Sequence, residues 1–115
     1  MEEHYEVRRR FPRVPSENAV MVTKLSEDRL EGFTKTRVMG LGGCLLVSDE
    51  RLGVGSLLEI LISVRGRVAK SVGRVVYEIP KADKEVEVGV EFVDIDEPDR
   101  EVIEGLFTPP GAGSA

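Results

Sequence analysis

The sequence predicts a mainly β protein: a small antiparallel β-barrel of six to seven strands, with a C-terminal α-helix and an extended N-terminal arginine arm. Three observations support this fold class. Short segments rich in apolar and β-branched residues recur at regular spacing, separated by glycine, proline and charged residues. One segment, at residues 96–107, has helical periodicity. The length of 115 residues is that of one domain.

The predicted strands cover residues 19–25, 30–39, 44–47, 57–64, 67–79 and 86–94. Alternation in two of them predicts the residues that face the core: Leu58, Ile60, Ile62 and Val64, then Val86, Val88, Val90 and Phe92. We expect Gly73 to bend its strand. Glu87 and Glu91 should lie on a solvated face, and Phe33, Phe92 and Phe107 in the core.

The chain ends are predicted to lie outside the barrel, which should occupy residues 16–107. Residues 1–15 contain Pro12 and Pro15, which disfavour helix, and therefore predict a flexible extended arm. Asp96 is the expected N-cap of the helix. One helical face collects its apolar residues, Val102, Ile103, Leu106 and Phe107. The prolines and glycines of residues 108–115 predict a disordered tail.

Composition excludes several classes of function. Four arginines in the arm contribute about +4, so a net charge of −5 leaves no broad basic face for DNA or RNA. One histidine and one cysteine exclude a zinc site and an internal disulfide. No apolar run reaches the roughly 20 residues needed for membrane insertion, and no secretory signal is visible, so we expect a cytoplasmic protein. No acid/base pair or set of nucleophile and base can be assembled from these residues. We therefore expect a protein that is not an enzyme and has no cofactor.

Two local motifs carry a resemblance to a known family. The arm fits an RxxxR pattern through Arg9 and Arg13, and residues 38–43 occupy the place of a D/N-x-S-x-x-G turn that ends at Gly43. The segments GSLLEILI, GRVVY and VGVEFVDIDEPDREVIEGLF complete the likeness. Over residues 5–107 the chain resembles the PilZ domain, whose fold is a β-barrel.

The resemblance implies a bacterial signalling domain that binds cyclic di-GMP, often as an intercalated dimer. It assigns ligand contacts to Arg9, Arg13 and Gly43, with Arg8 and Arg10 as supporting positive charge. Arginine suits this role because its planar fork bonds phosphate oxygens and guanine acceptors bidentately. The signal would pass by contact to a protein effector, such as a motility, pilus or kinase component.

The second motif departs from the family pattern at two positions. Val38 stands where the family has Asp or Asn, and Gly40 stands where it has Ser. Neither can accept a hydrogen bond from guanine through a side chain, and two lost bonds weaken binding by roughly 10- to 10³-fold. An adaptor that binds no nucleotide and acts through protein contacts is therefore the alternative function.

Other interpretations of the same residues remain open. Arg9 and Arg13 also fit a solvated basic tail or salt bridges to the acidic barrel. Residues 40–43 lack the Lys-Ser/Thr of a P-loop, and a tight turn with positive φ at its glycines is the default expectation. Cys44, at the start of a predicted strand, is expected to be a small buried apolar residue rather than a reactive thiol.

Overall fold

The structure is a computed structural model that describes residues 13–25 and 29–107, with side chains 29–31 left undescribed. In these ranges the strands are β1 (Arg13–Pro15), β2 (Ala19–Lys24), β3 (Arg29–Gly40), β4 (Gly43–Ser48), β5 (Leu57–Val64), β6 (Arg67–Pro80) and β7 (Val86–Asp94). One α-helix, α1 (Glu97–Glu104), follows, and the 3-10 turns are Ala82–Lys84 and Gly105–Phe107. The predicted fold class and the order of elements are confirmed.

Six strands close into an antiparallel barrel, because β3 pairs with β2 on one edge and with β4 on the other. The ring continues from β2 through β5, β6 and β7 to β4. The seventh strand, β1, adds to β3 beside its last residues, Val38–Gly40. Residues 13–15 of the predicted arm are therefore part of the sheet, whereas residues 1–12 and the predicted tail at 108–115 lie outside the described residues.

The barrel interior holds the alternating apolar residues that the sequence assigns to it. All four inward positions of β5 are buried, as are Val86, Val88 and Val90 of β7. Phe92 and Phe107 are half-buried against this core. The predicted bend at Gly73 coincides with a register shift between β6 and β7. The alternation of apolar and polar residues thus predicts the core, because one face of each strand is buried in the barrel and the other faces outward.

The predicted core position of Phe33 is wrong, since its side chain is 80% exposed. Alternation along β3 directs Thr34 and Thr36 inward, so Phe33 points outward. Thr36 is fully buried because its hydroxyl donates to the Ser16 carbonyl at 2.6 Å and accepts from the Asn18 amide at 2.9 Å. Because both hydrogen bonds of the Thr36 hydroxyl are made, this polar side chain can be buried. The inward face of β3 therefore carries threonines, and the aromatic ring of Phe33 lies on the outward face.

A bulge in β3 sets which residues of the second motif face outward. The β3–β4 register shifts between Thr36 and Val38, so buried Thr36 is followed three residues later by buried Met39. A bulge inserts one extra residue on one strand and reverses the alternation beyond it. Val38 consequently lies on the outer face, next to Arg37.

The helix packs on β6 through its apolar face. Val102 and Ile103 are buried, and the Asp99 carboxylate accepts a 2.9 Å hydrogen bond from the Lys70 backbone amide of β6. Asp96 occupies the N-cap position as predicted, without a side-chain capping bond. No helix in the described ranges is long and apolar enough to cross a membrane.

Candidate functional site

A cavity of about 120 Å³ opens on the outer side of the barrel, where β1 adds to β3. Strands β1, β3, β4, β6 and β7 and the turn after β3 contribute its wall. The described lining residues are Arg13, Val38, Gly40, Gly42, Gly43, Cys44, Leu45, Tyr77, Val90 and Glu91. Every residue predicted for the ligand site that lies in the described ranges is among them.

Strand pairing brings the two sequence motifs together. In the β1–β3 ladder Arg13 pairs with Gly40, and Pro15 pairs with Val38. The exposed Arg13 therefore lies directly opposite Gly40, and Val38 follows two positions away on the same strand pair. Arg8, Arg9 and Arg10 lie outside the described residues, so of the predicted arginine pair only Arg13 has a described position.

Gly43 has a structural requirement that the sequence did not reveal. A Cβ at this position would overlap the backbone carbonyl of Val90, because β4 and β7 approach closely here. The glycines with positive φ in the described ranges are Gly32, Gly53, Gly55 and Gly66. The expected positive φ in the turn at residues 40–43 is therefore wrong, and close strand packing is what demands glycine at position 43.

Tyr77 is a wall residue that sequence reasoning missed. It pairs with Gly89 across β6 and β7, and a Cβ on Gly89 would overlap the Tyr77 ring carbons. The ring therefore lies against the bare backbone of β7. A signal was present in the sequence, since Gly89 interrupts the outward row between Glu87 and Glu91, and a glycine inside a strand marks a close approach.

Leu45 and Glu91 were also missed as wall residues. Both are half-buried on the outer face, where Leu45 pairs with Gly89 and Val38, and Glu91 pairs with Gly43. The register of strands β3, β4, β6 and β7 determines which outward residues form the cavity wall. A single sequence does not give that register, although it gives the alternation within each strand.

The two outward glutamates of β7 are not simply solvated, and that prediction is wrong. The Glu87 side chain is only 16% exposed, and its carboxylate lies 3.4 Å from Arg37 and 3.6 Å from Lys81. Arg37 also bonds Glu85 at 2.6 Å. Arg37 precedes the cavity residue Val38 in sequence, but none of the four residues of this cluster, Arg37, Lys81, Glu85 and Glu87, lines the cavity itself.

Cys44 is buried, as predicted for a small apolar residue. It pairs with Val90 and lies at the base of the cavity with 8% of its surface exposed. Desolvation raises the pKa of its thiol from 9.0 to about 12. A thiol in this state is protonated at neutral pH and is a poor nucleophile.

A larger cavity, about 380 Å³, lies at the opposite ends of β3 and β4. Phe33, Val47, Leu52 and Asp83 are among its wall residues, and it contains none of the predicted site residues. Size favours this cavity, but motif chemistry favours the smaller one, and specificity depends on placed polar groups rather than volume. Within the described ranges no three His, Cys, Asp or Glu side chains are grouped to hold a metal ion.

The closed six-stranded barrel, the added strand and the C-terminal helix define a small β-barrel domain with a cavity on its outer wall. The family model for the PilZ domain matches residues 7–108. The chain therefore belongs to the PilZ domain family. No curated protein sequence matches it significantly.

Solved PilZ structures share the fold at low sequence identity. The Bacillus subtilis inhibitor of motility MotI/DgrA has a TM-score of 0.69 and 17% identity, over 87% of this chain and 49% of its own. The K. pneumonia MrkH complex with c-di-GMP has a TM-score of 0.72 and 16% identity, over 87% of this chain and 51% of its own. The PilZ domain of YcgR from Escherichia coli with c-di-GMP has a TM-score of 0.65 and 13% identity, over 86% of this chain and 88% of its own. This chain thus spans about half the length of MotI and MrkH.

Proposed function

We propose that this PilZ domain binds cyclic di-GMP between its arginine arm and the cavity on the outer wall of the barrel. The observation that carries the proposal is the β1–β3 pairing, in which Arg13 of the first motif lies opposite Gly40 of the second. Arg9 and Arg13 would hold phosphate and guanine, Arg8 and Arg10 would add positive charge, and Gly43 would border the ligand. Solved structures with the same fold that contain c-di-GMP support the choice of this ligand.

The size of the cavity indicates how the ligand would be held. Sites for drug-sized ligands usually measure about 300–1,000 Å³, and this one measures about 120 Å³. The barrel wall can therefore enclose only part of a dinucleotide, and the rest, or a second intercalated molecule, would lie under the arm. Arginine is suited to this because its guanidinium bonds phosphate bidentately and also stacks on bases.

Ordering of the arm around an anionic ligand would convert binding into a signal. A segment that folds on binding changes the surface that a partner protein contacts. We propose that a bacterial protein effector, such as a motility, pilus or kinase component, reads this change in the cytoplasm. Among the structural relatives, MotI is an inhibitor of motility and MrkH is a c-di-GMP-dependent transcription regulatory factor.

A second candidate function is an adaptor that binds no nucleotide. It is favoured by Val38 and Gly40, which line the cavity without a side-chain hydrogen-bond acceptor. In that case the arm and the outer face would contact a protein directly. Both candidates assign the domain to binding rather than catalysis.

Calorimetric titration of cyclic di-GMP at physiological salt separates the two functions. The wild-type domain should bind with low micromolar affinity or better, and an Arg9→Ala/Arg13→Ala variant should not bind. An Arg51→Ala/Arg67→Ala variant is the matched control, because it removes the same charge from exposed positions that do not line the cavity. Wild-type affinity in this control would show that the arm acts by position and not through net charge.

Absence of binding by a folded wild-type domain would overturn the receptor function. The variant Val38→Asp/Gly40→Ser would then test the cause, because it restores both family residues at the cavity wall. Recovered binding would show that the residues at positions 38 and 40 are the reason why the wild type does not bind. The wild-type domain would then be assigned to the adaptor function.

A further inference from the structure

The proposed cyclic di-GMP site lacks the acceptor that its second motif should supply, and the cavity wall contains a candidate replacement. Guanine presents two adjacent donors, N1–H and N2–H, on one edge. Val38 and Gly40 offer no side-chain oxygen to meet them. Among the described lining residues, Glu91 carries the one carboxylate.

The position of Glu91 follows from strand register. It pairs with Gly43, the last residue of the second motif, and it is half-buried on the outer face of β7. Gly43 has no side chain, so nothing on that residue separates the Glu91 carboxylate from the ligand side of the turn. Glu91 thus lines the same cavity as Val38, and its other cross-strand neighbour is Arg74 of β6.

A carboxylate at this place suits a base and not a phosphate. Two carboxylate oxygens match two parallel N–H donors, and bonds to an ionised acceptor are stronger than neutral ones. Next to a phosphate the same charge would be repelled, so phosphate contacts belong to Arg13. Adenine has no N1–H, and its N1 lone pair would face the carboxylate, so Glu91 would select guanine over adenine.

Tyr77 supplies a surface for the face of the same base. Its ring lies against the backbone of Gly89, two residues before Glu91 on β7, so the protein limits its movement on one side. Aromatic rings stack on any base, because every base has a π-face. Stacking on Tyr77 would therefore add affinity without adding selectivity.

We propose that Glu91 recognises the donor edge of one guanine, in place of the acidic residue missing at position 38, and that Tyr77 stacks on that base. This inference rests on the proposed cyclic di-GMP binding and specifies how the base is selected. It assigns selectivity to one residue and affinity to the other, and the two roles can be measured separately.

The test compares cyclic di-GMP with cyclic di-AMP by calorimetry for the wild type and Glu91→Gln. The wild type should prefer the guanine ligand. Glu91→Gln should reduce the ratio of the two affinities by about 5- to 150-fold, the usual value of one bidentate base contact. Glu101→Gln is the matched control, because it removes the same charge from an exposed position on the helix, and it should leave the ratio unchanged.

Two further variants distinguish recognition from a loss of folding. Val38→Asp added to Glu91→Gln returns a carboxylate to the family position and should restore the preference for guanine. Tyr77→Leu should weaken both nucleotides by a similar factor, whereas Tyr77→Phe should keep wild-type affinity. Thermal unfolding of each variant checks that the barrel is intact.

The outcomes separate this inference from the proposed function. If the wild type binds cyclic di-GMP through Arg9 and Arg13 but Glu91→Gln keeps the full preference for guanine, the role of Glu91 is overturned and the receptor function stands. If the folded wild type binds neither nucleotide, both are overturned. A reduced ratio that Val38→Asp restores supports the assignment.

Discussion

The inner and outer faces of strand β4 differ more than its short length suggests. Leu46 is fully buried inside the barrel, whereas its neighbour Leu45 is half-buried in the wall of the outer cavity. On the inner face of β4, the alternating residues Cys44 and Leu46 are both buried and apolar. The outer face combines a leucine with a tyrosine, a glutamate and glycines from other strands. The inner face of the barrel therefore supplies stability, whereas its outer face bears the candidate cavity.

The largest expected effect comes from truncating the same side chain on each face. Leu46→Ala removes a fully buried side chain and should lower the free energy of unfolding by about 2–5 kcal/mol. Leu45→Ala, one residue away, should cost about 1 kcal/mol, because its side chain already borders an open cavity. Urea denaturation of both variants measures the difference. Equal losses would mean that the outer wall is packed as tightly as the core.

The contact between Tyr77 and Gly89 allows a sharper test of the outer wall. Gly89→Ala should cost about 1–3 kcal/mol, because the new methyl group overlaps the ring. In a Tyr77→Ala background the same substitution should be neutral or slightly stabilising, since alanine is otherwise the better strand residue. A double-mutant cycle by denaturation gives the coupling energy. A value near zero would contradict the ring position and weaken the stacking role of Tyr77.

The comparison also explains how much of the fold could be predicted. The bounds of β5 and β7 coincide with the predicted segments, because alternation over eight or nine residues is a strong local signal. The prediction for Phe33 is wrong, because the hydroxyl of Thr36 finds hydrogen-bond partners in residues 16–18, and an inward Thr36 directs Phe33 outward. Such partners are close in space and distant in sequence, so local patterns do not contain them.

The candidate site could be predicted only in part for the same reason. Arg13, Val38, Gly40 and Gly43 were found because motifs mark them, and they do share one cavity. Tyr77 and Glu91 belong to no motif. Their presence in the wall depends on the register of β6, β7 and β4, including the shift between Val75 and Tyr77. A register shift changes the facing of every later residue, and a single sequence does not specify it.

Cys44 is buried in the core and also lines the outer cavity, and its thiol should make the stability of the domain depend on pH. Burial raises the pKa of its thiol to about 12, whereas the unfolded value is near 9.0. The folded state thus keeps its proton above pH 9, and unfolding releases it, so stability should fall as pH rises from about 9 to 12. The slope from this one group is about 1.4 kcal/mol per pH unit.

Comparison with Cys44→Ala isolates the contribution of this thiol from all other effects of pH on stability. Urea denaturation at several pH values should give a steeper loss for the wild type than for the variant above pH 9, and parallel curves below it. Parallel curves throughout would mean that water reaches the thiol through the cavity. The candidate cavity would then be open to the core near Cys44.

The smallest expected effect concerns the ion pairs of Arg37 on the outer face of the barrel. Arg37 is 41% exposed and contacts Glu85 and Glu87. Because exposed charges gain little in water, Arg37→Gln should cost about 0.5–1 kcal/mol at low salt, and this cost should fall in 1 M salt. Arg67→Gln, at an exposed position of β6, is the matched control. A salt-independent loss above about 2 kcal/mol would mean that the ion pairs fix the outer wall, making the face that bears the cavity as rigid as the interior.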